Sequence, residues 1–126
     1  LAADDLPGAV SAWEAALADS PADAVAQQGL SAARLMLRTR DADASAVRAA
    51  AADGPDDVAA QLAVADLDVL GGHVEDAFAR LVRFIALHPG DDRETARAHL
   101  VDLYTVVGTD DPRVQASRRR LAAALF

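Results

Sequence analysis

Several short runs in this chain carry residue types that could do chemistry. Asp41-Ala42-Asp43-Ala44-Ser45 opens like a calcium loop, in which alternate residues supply oxygen ligands. Such a loop needs glycine at its sixth position and a bidentate glutamate at its twelfth. The chain has Ala46 and Ala52 there, so Asp41 and Asp43 read as helix-capping carboxylates. The doublets Asp56-Asp57, Asp91-Asp92 and Asp110-Asp111 could be paired carboxylates for acid–base work, which requires a cleft that separates their pKa values. Each stands where a helix is expected to start, and unpaired N–H groups and the helix dipole favour anions there. His73, His88 and His99 lack metal-ligand spacing and read as helix-end or surface residues. Gly71-Gly72 lacks the strand and further glycine of a phosphate cradle and reads as a turn. No serine or threonine sits in a nucleophile elbow, and the absence of cysteine removes thiolates, disulfides and dithiol redox centres. The expectation is a chain with no catalytic, cofactor-binding or metal-ligating residues.

Two features point instead to partners. Arg118-Arg119-Arg120 stands beside Leu121, Leu125 and Phe126 on a terminal amphipathic stretch, the pattern of a solvated face or of a docking helix for an acidic partner. Trp13 occupies an aromatic packing position and is expected in the core.

The elements that must position these residues follow from periodicity. Thirty-two of the 126 residues are alanine, the best helix former, and no strand-type alternation occurs. Ala26, Leu30, Ala33 and Leu37 form one helical stripe, and Ala96, Leu100, Leu103 and Val107 another. The segment Val58 to Leu70 is apolar around most of its circumference, as in a helix flanked by neighbours, and Phe78, Leu81, Val82, Phe84 and Ile85 give its partner a similarly wide face. Val114, Leu121 and Leu125 line one side of the last segment. Gly and Pro punctuation predicts helices over 8–19, 22–38, 44–52, 56–70, 74–88, 92–107 and 112–125, with a capping box at Asp91 and Glu94.

Pro21, Pro55 and Pro89 recur every 34 residues, the tetratricopeptide period. Ahead of Pro21, Ala9, Trp13 and Ala16 match the second-helix half of that repeat. Val47 and Ala50 precede Pro55 in the same frame, and Ala77, Leu81 and Phe84 precede Pro89. Asp43 and the bulky Phe84 depart from the small residues expected at their positions. Small residues let helices approach, a large one fills the gap, and proline stops the helix. The expected fold is all-α, a single tetratricopeptide-like domain over 1–126 with about seven antiparallel helices in a short superhelix. The chain begins with Leu1 and with the second half of a repeat, so it reads as a piece of a longer protein whose partner helix lies upstream.

First helices of such repeats line a concave groove. In the proline frame its positions are Val25, Gln28, Ala32 and Leu35, then Ala59, Leu62, Asp66 and Val69, then Arg93, Ala96, Leu100 and Leu103. The lysine and asparagine that clamp acidic chaperone C-termini in one subclass are replaced by Gln28 and Ala32, then Leu62 and Asp66, which excludes that role. A mostly apolar groove suits hydrophobic segments or a swapped helix. The net charge of −8 opposes binding to nucleic acid, and no apolar run is long enough to span a membrane.

The stretch Gly108-Thr109-Asp110-Asp111-Pro112-Arg113-Val114, followed by Arg118-Arg119-Arg120-Leu121-Ala122 and Leu125-Phe126, resembles the C-terminal end of the bacterial YbbN/CnoX family. The Ala9-to-Pro21 unit and the Leu62-to-Leu87 helix pair are similar to it as well. Members join a thioredoxin-like domain to a divergent tetratricopeptide domain and hold unfolded clients for chaperonin and Hsp70 systems. The resemblance implies a cytoplasmic, non-catalytic protein-binding half, without cofactors, preceded by a thioredoxin-like domain. The residues it would engage partners through are Gln28, Leu35, Leu62, Asp66, Val69, Arg93, Leu100, Arg118, Arg119, Leu125 and Phe126. The absence of lysine fits a GC-rich bacterial genome such as an actinobacterial one. The alternative is a structural spacer or dimerisation domain, its groove filled by its own chain or by a twin.

Overall fold

A computed structural model describes residues 5–126. The readings of Leu1 as a cut end and of an upstream partner helix lie outside the described residues. Within them the chain forms seven helices: α1 (Leu6–Asp19), α2 (Ala24–Thr39), α3 (Ala44–Asp53), α4 (Val58–Leu70), α5 (Val74–Leu87), α6 (Asp91–Val107) and α7 (Pro112–Leu125). Sequence boundaries and observed ones agree within two residues, because aspartate caps and glycine or proline stops set both.

Three joints repeat one device. In the α1–α2 joint the Ser20 N–H donates to the Ala16 carbonyl and the Asp23 N–H to Ser20. Gly54 and Asp57 make the same pair of bonds between α3 and α4, and Gly108 and Asp111 do so between α6 and α7. The closing aspartate then turns its carboxylate onto the next helix: Asp23 accepts from Val25 and Ala26, Asp57 from Ala60, and Asp111 from Arg113. Each such cap is worth about 1 kcal/mol. Asp43 accepts from the Ala46 N–H in the same way at the start of α3, while Asp41 lies exposed beside Arg40. The α5–α6 joint differs. Gly90, with φ +98°, is the N-cap of α6 and makes no side-chain cap bond, so the expected Asp91–Glu94 capping box is absent. Asp91, Asp92 and Glu94 instead place their charges in the first turn, where the dipole favours them.

Helix α5 is the hub. Its Ala77, Phe78, Leu81, Phe84 and Ile85 are buried, and it packs on α4, α6 and α7. The core continues through Leu35, Ala65, Ala96, Leu100, Leu103, Tyr104, Val114 and Leu121. At its far end Tyr104 meets Phe78 edge to face, ring centroids 4.9 Å apart, and its hydroxyl lies 2.6 Å from Ser117 Oγ, tying α5, α6 and α7 together.

The periphery is thinner. Helix α3 packs on α4 and buries only Ala51 fully, and α1 packs on α2 with no residue fully buried. Trp13 is therefore half-buried rather than a core residue, because α2 is the helix that covers it. Its indole lies flat on Gly29, where a Cβ would overlap Cε2 and Cζ2 of the ring. Gly29→Val is expected to lift α1 from α2. Emission of Trp13, the sole tryptophan, then moves to longer wavelength while α4–α7 still unfold cooperatively. Unchanged emission would show that the indole does not need the bare backbone.

Candidate protein-interaction site

The first helices of the repeats, α2, α4 and α6, gather on one side, and α2 reaches α6 directly. Gln28 Nε2 donates to the Val106 carbonyl at 3.1 Å, and Ser31 Oγ donates to Asp102 Oδ1 at 2.7 Å. This contact closes the concave face. Of the anticipated groove residues, Leu35, Asp66, Ala96, Leu100 and Leu103 are buried, while Ala32, Leu62, Val69 and Arg93 are partly covered. Only Val25, Gln28 and Ala59 stand exposed. The lining anticipated as accessible is thus largely core.

Asp66 centres the closure. Its side chain is 5% exposed, and Arg38 grips it in a two-pronged pair, Nε to Oδ2 at 2.9 Å and Nη2 to Oδ1 at 3.0 Å. His99 Nε2 donates to Oδ1 at 2.7 Å, and Arg38 also lies 3.7 Å from Asp102. Burial alone would raise the Asp66 pKa, but the hydrogen bonds and charges of His99 and Arg38 outweigh it and hold the carboxyl below its ordinary value. One carboxylate thereby joins α2, α4 and α6. Arg93 serves the fold more quietly. Its Nε donates to the Ile85 carbonyl at 2.9 Å, closing the C-terminal end of α5.

The other two histidines sit at the ends of α5. His73 is the N-cap of α5. His88 stacks on Phe84, with Nδ1 2.8 Å from the Phe84 carbonyl and Nε2 2.8 Å from Asp56 Oδ1. A carbonyl and a carboxylate can only accept, so the geometry favours the doubly protonated ring. The Asp56 carboxylate, helped by the carbonyl, raises the His88 pKa. Whatever stability this pair contributes is complete below the ordinary histidine value and fades as pH rises through the elevated one. Asp56 thus pairs with a histidine, and Asp57 beside it does the capping.

The terminal helix presents a different surface. All twenty acidic residues precede α7, which carries four arginines. Val114, Ser117 and Leu121 face inward, and Arg118 lies over the Tyr104 ring, 5.5 Å from its centroid. Arg119 and Arg120 are exposed, Leu125 is half-buried, and Phe126 is fully exposed. The structure therefore splits the anticipated partner residues. Arg118, Arg119 and Phe126 are exposed near the end of α7, where Leu125 packs half-buried against the core, while Leu35, Asp66 and Leu100 are buried.

Sequence patterns do not single out Tyr104, Ser117, Gln61 or Arg80. Gln61 is buried and donates Nε2 to the Ala51 and Gly54 carbonyls, while its Oε1 accepts from Arg80 Nη1 at 2.6 Å. A glutamine amid the apolar residues of the first half of α4 is the signal that could have found it.

Paired helices packed around a shared core, with no strand among the described residues, define an all-α helical-repeat fold. A family model described as Tetratricopeptide repeat matches residues 37–126, and the chain belongs to that family. Tetratricopeptide repeats mediate protein–protein interaction. The chain is also similar to an uncharacterized protein of Mycobacterium bovis, at 31% identity over 122 residues. Two uncharacterized Mycobacterium tuberculosis proteins match equally, 31% over 122 residues. Each match covers 97% of this chain and 40% of the relative, so the chain spans about two-fifths of the length of these proteins. No solved structure matches. No helix of the described residues is long and apolar enough to cross a membrane.

Proposed function

We propose that the chain is the non-catalytic protein-binding part of a cytoplasmic, thioredoxin-like bacterial co-chaperone, engaging unfolded clients or a chaperonin or Hsp70 partner. The observation that carries this reading is the edge of α7, where Arg118 and Arg119 stand beside Leu125 and an entirely exposed Phe126. Exposed apolar side chains flanked by cations suit both a client segment and an acidic docking surface. With much of the anticipated groove lining buried, this edge offers a partner the exposed surface that an open groove offers in other repeat stacks. The test is whether the chain suppresses aggregation of a denatured protein or binds a chaperonin, with Arg119→Glu/Phe126→Ala as the impaired variant. These positions are exposed, so the variant is expected to keep its fold. Failure of both assays by the folded wild-type chain would overturn the proposal.

The filled groove favours a second reading, a structural spacer with no client of its own. Its sign would be a monodisperse, correctly folded chain inert in both assays.

A further inference from the structure

On the opposite side, α3, α4 and α5 enclose a cleft that neither the repeat fold nor the α7 edge explains. It consists of two cavities, about 500 and 280 Å³, which share Arg80 and Arg83 as a common wall. Arg48 enters the larger cavity and is already neutralised by Asp68 at 2.9 Å. Arg80 is not neutralised. Its Nη1 is held by the neutral Gln61, and its Nε is shut off from solvent with no acceptor. A buried donor left unpaired costs about 1–3 kcal/mol, so this N–H is a standing demand for an oxygen. Arg83, one turn further along α5, is exposed and forms no ion pair among the described residues. Outside the Arg48 pair two acids line the cleft, Asp76 in the larger cavity and Asp56 in the smaller; Asp56 pairs with His88, and neither forms an ion pair with Arg80 or Arg83 among the described residues. In a chain of net charge −8, two neighbouring guanidiniums without carboxylate partners are a distinct local feature. The smaller cavity adds an apolar shoulder from Pro55, Phe84 and Leu87, the last 69% exposed.

We infer that this cleft docks an acidic segment of a partner protein, with a carboxylate between Arg80 and Arg83 and an adjoining apolar side chain on Pro55 and Leu87. Arginine pairs with carboxylate through two parallel bonds; exposed Arg83 offers these directly, and Arg80 would gain its missing acceptor by turning its Nε, now shut off from solvent, toward the cleft. The apolar shoulder and the extent of the two cavities select a peptide over a free inorganic anion. The inference rests on the reading of the chain as a protein-binding module, but not on the chaperone assignment or on α7.

The experiment is a titration of the intact chain with a short, tagged peptide of alternating glutamate and leucine, its glutamine analogue, and inorganic phosphate. Binding is followed by fluorescence anisotropy and by the Arg80 Nε–Hε NMR signal. The acidic peptide is expected to bind and shift that signal, with the glutamine analogue roughly tenfold weaker or worse. Arg83→Glu, at an exposed position that leaves the fold intact, and Arg80→Gln/Arg83→Glu are each expected to weaken binding by at least about tenfold. Arg97→Glu, an equal charge change on α6, leaves it unaltered. Equal binding by the arginine variants, equal binding of the glutamine analogue, or an unmoved Arg80 signal would overturn the inference. Phosphate binding as tightly as the peptide would overturn it in favour of a small anion. Client holding unaffected by Arg83→Glu, alongside lost peptide binding, would separate this cleft from the α7 edge.

Discussion

Leu100→Ala is expected to lower the unfolding free energy by about 3–4 kcal/mol, because it removes a fully buried side chain from a close-packed core. In a domain of this size that corresponds to a melting temperature lower by about 10 °C. The proline frame places the same residue on the lining of an open groove, where truncation would cost well under 1 kcal/mol and weaken only binding. Thermal or urea unfolding of the variant therefore decides between lining and core. A loss below about 1 kcal/mol would mean that Leu100 is not buried in solution.

Asp66→Asn is expected to cost about 3 kcal/mol, at the lower end of what breaking a buried ion pair costs, because Arg38 is a third exposed and can find water. The pH dependence gives a sharper signature. The folded-state pKa of Asp66 lies below its ordinary 3.8, so the ionised carboxylate contributes its stability above that value. The contribution is lost as pH falls through the lowered folded-state pKa. Wild type and Asp66→Asn should therefore differ most near neutrality and converge in acid. Parallel curves down to the acid transition would show that Asp66 is not the pivot of the α2–α4–α6 contact.

How much of this is legible in the sequence depends on whether local or long-range physics decides it. Helix ends are legible because aspartate caps, glycine stops and proline breaks act within a few residues, as at Asp23, Asp57 and Pro112. The faces of α5 and α7 are legible because Phe78, Leu81, Ile85, Val114 and Leu121 repeat at helical spacing. The fate of the groove is not. Periodicity places Leu35 and Leu100 on inward-facing stripes, but whether a partner, solvent or a neighbouring helix lies opposite depends on contacts such as Ser31 to Asp102, 71 residues apart. The same limit applies to Trp13, whose burial depends on how many helices flank α1. The Arg80 cleft is invisible for a related reason: its three arginines are spread over two helices and look ordinary one at a time.

Helix α1 packs on α2, with Trp13 lying on Gly29 and Glu14 facing Arg34, and α2 is the helix locked to α4 and α6 by Asp66 and Asp102. The front of the chain therefore works as a lever arm. A sideways load on α1 bears on the polar pins under α2 before it strains the aliphatic interior around α5. The first event under such a load is the unpinning of Arg38 and Ser31, with the bundle from α3 onward still folded.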